Sequence, residues 1–150
     1  MESEVHLGPE VVVPDLAGWR KERLTELPDD DWIVLSPDWV CEVLSPSTAQ
    51  TDRSIKLPLY AAEGVPHCWL IDPALKTLEA YELTDRKWTL LATLKEDDSV
   101  RLPPFDAVAF PHPFPWARCR SENPHWGWTK PLRQAKETGL PGIGGHFVRR

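Results

Sequence analysis

Between residues 37 and 73 the apolar positions change period twice. Residues 39–44, WVCEVL, are dense in β-branched and aromatic side chains. They lie between Pro37 and the turn-prone run Ser45-Pro46-Ser47-Thr48, which predicts a strand. From about Asp52 to Glu63 the spacing is helical, and Gly64 is a natural stop. Residues 67–72, HCWLID, form a second apolar run closed by Asp72-Pro73, and predict another strand. Strand, helix and strand in so short a stretch make a crossover unit with parallel strands.

Polar residues interrupt this pattern where apolar ones belong. Side chains alternate along a strand, so Val40, Glu42 and Leu44 share one face, with the carboxylate between two core-type neighbours. At about 100° per residue, Ile55, Leu59 and Ala62 stack on one face of the helix. Lys56 falls on the same arc, between Leu59 and Tyr60, and Asp52 lies one turn before it. Buried charges are costly unless paired or bound to a metal. A carboxylate and an ammonium on the inward faces of adjacent elements therefore suggest a site.

The flanks are less regular. Residues 11–16, VVVPDL, read as a strand in which Val11, Val13 and Asp15 share a face and Pro14 marks an edge or an end. Residues 1–10 are too short and polar to form a layer. Residues 18–31 read as a charged loop whose Asp29-Asp30-Asp31 run is solvated surface. Residues 76–83 and 88–93 alternate about the turn Thr84-Asp85-Arg86, which predicts a hairpin, and residues 99–102 a short last strand. From about Pro111 the character changes: the last 40 residues hold 6 Pro, 5 Gly and 3 Trp without a sustained period. This divides the chain into a domain over 1–110 and an irregular Pro/Trp/Arg-rich tail over 111–150, with at most a short helix at 130–138. His112, Cys119, His125 and His146 lack the close pair spacing of structural zinc sites. Gly142-Ile143-Gly144-Gly145 lacks the strand before and the helix after that a phosphate loop needs.

Charge and composition narrow the functional classes. The net charge of −6 is split: residues 1–110 carry 10 Lys/Arg against 21 Asp/Glu, and residues 111–150 carry 7 against 2. So acidic a body has no global field for nucleic acid, which argues against strong non-specific binding but leaves room for a local groove. No apolar run is long enough to span a membrane, and the N-terminus is acidic, unlike a signal peptide; a soluble cytoplasmic protein is expected. Cys41 and Cys68 fall in the two predicted strands and read as reduced core residues, with Cys119 alone in the tail. No helix-turn-helix pattern supports a transcription regulator.

The segments VVVPDLAGWR, PDWVCEVLSPST, DRSIKLPLY and GVPHCWLIDP together resemble the Uma-two family of restriction-endonuclease-type domains. That family in turn resembles the PD-(D/E)XK nucleases in fold. The likeness covers roughly residues 7–110 and is strongest over 38–73. It implies an α/β, mixed α+β fold: a restriction-endonuclease-like mixed sheet with flanking helices, short at the N-terminus, where family members carry a longer segment before the Pro-Asp strand. It implies a metal-dependent endonuclease acting on DNA with Mg²⁺ or Mn²⁺. Asp15 matches the first acid and Glu42 the second; with the Val43 backbone carbonyl they make the expected ligand set. The lysine usual two residues after the second acid is replaced by Leu44, and Lys56 matches the lysine that the family carries on the next helix. An incomplete sheet would leave the Asp15 strand with an open edge and favour a homodimer. The short N-terminal flank would also weaken cleavage by this chain.

Simpler roles stand beside these. Glu42 and Lys56 make a structural ion pair equally well, and Asp52 caps or pairs. Tyr60 reads as core, His67 as surface or cap, and Asp72 as a turn former. Ser45, Ser47 and Thr48 start the helix connection. The alternative to an enzyme is a non-enzymatic remnant or interaction domain that keeps the nuclease-like fold.

Overall fold

The computed structural model describes residues 4–26, 28–30, 32–96 and 98–105, and the backbone of 145–149. In chain order the strands are β1 (Glu4–Leu7), β2 (Glu10–Val12), β3 (Leu16–Arg20), β4 (Trp32–Ile33) and β5 (Trp39–Val43). A helical segment follows: an α turn α1 (Ala49–Thr51), a π-helical stretch (Asp52–Lys56) and α2 (Leu57–Ala62). Then come β6 (His67–Asp72), β7 (Thr77–Thr84), β8 (Lys87–Lys95) and β9 (Gly145–Arg149).

Two sheets result. The larger has six strands in the order β8-β7-β6-β5-β3-β9, and the smaller has three in the order β2-β1-β4. The predicted crossover is present: β5 and β6 pair in parallel, with Glu42 opposite Leu70. All other pairings in the large sheet are antiparallel, so it is mixed. The hairpin between β7 and β8 closes Thr84 onto Lys87 through Asp85 and Arg86. Both turn residues have positive φ, 50° and 60°, the twist that a two-residue hairpin turn needs. A register shift after Ala80 inserts a bulge in this hairpin.

The large sheet buries both faces. On one, Val40, Leu44, Cys68 and Leu70 pack with Tyr60 and Val65 and with Val5, Leu7 and Ile33 of the small sheet. On the other, Trp39, Trp69 and Phe105 meet edge to face, with centroids 4.9–5.5 Å apart. Val100 and Leu102 are buried against the same face. Each such side chain taken from water contributes on the order of 1.5–3 kcal/mol.

Several expectations are corrected. Residues 11–16 are not one strand. Pro14 has no N–H for a ladder, and the chain breaks there, leaving Asp15 between β2 and β3. Val11 and Asp15 therefore share no strand face. The start of the expected charged loop is instead β3, where Ala17 and Trp19 are buried. Residues 4–7, read as too polar for a layer, form β1, because Val5 and Leu7 face inward. Residues 99–102 form no strand, yet Val100 and Leu102 still pack. On the helix, Ile55 and Ala62 are exposed while Asp52, Tyr60 and Ala61 are buried. The π stretch rotates the buried face away from the one that a uniform α period predicts. His67, read as surface or cap, is 9% exposed. Residues 111–144, including the possible helix at 130–138, lie outside the described residues. Within the tail, β9 runs antiparallel beside β3, so the edge expected to promote dimerisation is paired.

Candidate functional site

The site is built where β3, β5 and the helix converge. Antiparallel pairing sets Leu16 opposite Cys41, so the residue before β3, Asp15, arrives beside Glu42. Two bonds tie them across the gap. The Asp15 N–H donates to Glu42 Oε2 at 3.3 Å, and Asp15 Oδ2 accepts the Val43 N–H at 2.8 Å. Asp15 thus replaces the ladder bonds that Pro14 interrupts. Glu42 itself has 0% exposure, placed inward by the alternation of β5.

The helix supplies the rest. The Leu57 N–H donates to the Asp52 carbonyl five residues back, the bonding of a π-helix. Pro58 follows, and its ring and missing N–H disfavour a standard α turn there. Asp52, Lys56 and Tyr60, four residues apart in turn, share the helical face turned to Glu42. Lys56 Nζ lies 3.1 Å from Glu42 Oε2, 3.2 Å from Asp52 Oδ1 and 3.3 Å from the Val13 carbonyl. An ammonium has three donors, and these acceptors match them. The Tyr60 hydroxyl donates to Glu42 Oε1 at 2.5 Å. Asp52 is buried, and its Oδ2 has no hydrogen-bond partner among the described residues.

These surroundings set the charge states. Burial pushes the Glu42 carboxyl up to about 7; Lys56 and the Tyr60 hydroxyl oppose this in part, while Asp15 and Asp52 add to it. Burial works against the Lys56 ammonium, but Glu42 and Asp52 more than offset it, so its pKa lies above the ordinary lysine value. Burial and the Glu42 carboxylate drive the Tyr60 phenol far upward, so it stays protonated. Burial likewise holds Cys68 as a neutral thiol, not a nucleophile.

The donor chemistry suits a hard cation. Mg²⁺ is commonly held by one or two carboxylates, with water and substrate phosphate completing its shell. Among the described residues no group of three His, Cys, Asp or Glu is arranged to hold a metal.

Residues 3–111 match the family profile described as "Uma2: Putative restriction endonuclease", a span that contains every residue of this cluster. The chain belongs to the Uma2 family. Among solved structures, this Uma2 chain is similar to a "putative nuclease belonging to DUF820" from Anabaena variabilis, at 24% identity and a TM-score of 0.57. The match covers 73% of this chain and 62% of that one, and at this identity it is a likeness of fold. The shared mixed α+β architecture is the one that the sequence predicted. No curated relative matches the chain.

In this Uma2 chain Asp15, Glu42 and Lys56, chosen from sequence, come together around Glu42 Oε2. Leu44, where PD-(D/E)XK nucleases carry lysine, is buried in the core. Two further members were read as ordinary: Tyr60 as core and Asp52 as a cap or pair. Their signal was the i, i+4, i+8 spacing of Asp52, Lys56 and Tyr60, which puts all three on one helical face. The remaining polar residues are local. Thr48 Oγ1 accepts the Ser45 N–H at 3.1 Å, and Asp72 Oδ1 accepts the Ala74 and Leu75 N–H groups at 3.0 Å, as turn formers do.

Proposed function

We propose that this Uma2 chain is an endonuclease that hydrolyses DNA phosphodiester bonds with a divalent cation, Mg²⁺ or Mn²⁺. The observation that carries the reading is the Lys56 ammonium 3.1 Å from a fully buried Glu42 carboxylate that Asp15 also contacts. Asp15, Glu42 and the Val43 carbonyl would hold the cation. When bound, it makes an attacking water more acidic and offsets charge on the phosphoryl oxygens. Asp15 is less buried than Glu42, so a phosphate would approach from its side. Lys56 supplies a fixed positive charge beside that approach and stabilises the extra negative charge of the transition state. The experiment is plasmid nicking in Mn²⁺ by the purified chain. Nicking should stop with EDTA and fall sharply in Asp15→Asn, Glu42→Gln and Lys56→Met. Nicking that survives all three substitutions would refute this site.

One observation favours a non-enzymatic interaction domain instead. The donors of Lys56 and both oxygens of Glu42 are matched inside the protein, as in a structural ion-pair cluster. Calorimetric titration separates the two: absence of Mg²⁺ or Mn²⁺ binding selects the interaction domain.

A further inference from the structure

Resting on the reading of Glu42 as a cation ligand, we infer that Tyr60 is a positioning residue that fixes the plane of the Glu42 carboxylate through Oε1. Tyr60 is fully buried in the core beside Val40 and Leu70, so its ring has one place to sit. A phenylalanine would fill nearly the same space without burying an oxygen. The hydroxyl is therefore accounted for by its bond to Glu42 at 2.5 Å.

The two oxygens of Glu42 are divided by partner. Oε1 receives Tyr60, whereas Oε2 receives Lys56 and the Asp15 N–H. The terminal torsion of a glutamate is broad and roughly two-fold, so without a bond at Oε1 the plane of the carboxylate is free to swing. Lys56 and the Asp15 N–H both bond Oε2, so neither restrains the far oxygen. Nor does Lys56 depend on Glu42, since Asp52 Oδ1 and the Val13 carbonyl anchor it independently. Tyr60 is the partner on the far oxygen, and removing such support for a ligand typically weakens metal affinity by about 10–100-fold.

The test is Mn²⁺ titration of the full chain, read as loss of the free-ion paramagnetic resonance signal, with circular dichroism of the metal-free protein alongside. Tyr60→Phe should fold and bind Mn²⁺ about 10–100-fold more weakly than wild type. Glu42→Gln should abolish binding. Wild-type binding that is lost in Glu42→Gln but unchanged in Tyr60→Phe overturns the role of Tyr60 and leaves the cation site standing. No binding by wild type overturns the cation site and this role with it. If Tyr60→Phe does not fold, Tyr60→Met, which lacks the hydroxyl but packs adaptably, is read in its place. Failure of both to fold assigns the hydroxyl to the fold and overturns the proposal.

Discussion

Glu42 should make the stability of the metal-free protein depend on pH in an unusual direction. Its carboxyl titrates near 7 in the fold against an ordinary 4.5, chiefly because it is buried. Between those values the folded state keeps a proton that the unfolded chain releases, so stability falls as pH rises. The contribution is complete below about pH 4.5 and is lost by about pH 7, on the order of 3 kcal/mol for this shift. Urea unfolding should therefore find Glu42→Gln more stable than wild type at pH 8 and similar to it at pH 4. A variant less stable than wild type at both pH values would mean that the pairing with Lys56 outweighs the burial. At this scale the sequence was informative about Glu42, because a carboxylate between Val40 and Leu44 breaks a strand's alternation. It was silent about the Tyr60–Glu42 bond, because a tyrosine on an inward helical face is ordinary until its oxygen has a partner.

Among the elements, the π stretch is the one with a consequence for the site. Asp52 opens it and shares Lys56 with Glu42, so Asp52→Asn should keep the backbone bonds of the π turn while removing one of the two carboxylates beside Lys56. Far-ultraviolet circular dichroism should stay near that of wild type. The Lys56 pKa, followed by heteronuclear NMR, should drop towards the ordinary lysine value as the Asp52 charge is lost. An unchanged titration would show that Glu42 alone holds the ammonium. A fixed period of 3.6 over 52–63 passes through Pro58 and so misses the rotated face. The crossover strands and the β7–β8 hairpin were legible because their patterns are local. The small sheet was not, because β1 is defined by partners far along the chain, such as Ile33 of β4 opposite Val5.

For the molecule as a whole, the second face of the large sheet is closed by the segment after β8. Phe105 is 4% exposed between Trp39 and Trp69, and the Trp69 indole N–H donates to the Pro103 carbonyl at 2.9 Å. Phe105→Ala should cost about 3–5 kcal/mol in urea unfolding and shift tryptophan emission to the red. A loss under 1 kcal/mol would mean that the segment is only loosely held. Residues 99–102 were legible as apolar but not as a cover lying across the sheet, since an apolar run alone does not say whether it pairs or packs.

The cluster around Glu42 draws on three stretches of chain: the β2–β3 connection with Val13 and Asp15, β5 with Glu42, and the helix from Asp52 to Tyr60. Such a knot should behave epistatically. Lys56→Met alone leaves two buried carboxylates facing each other's field, while Lys56→Met with Glu42→Gln removes one of them. A double-mutant cycle should find the pair less damaging than the sum by about 0.5–3 kcal/mol. Loss of one member would lower the barrier to losing the other. Glu42 and Lys56 should then vanish together from related sequences more often than either vanishes alone.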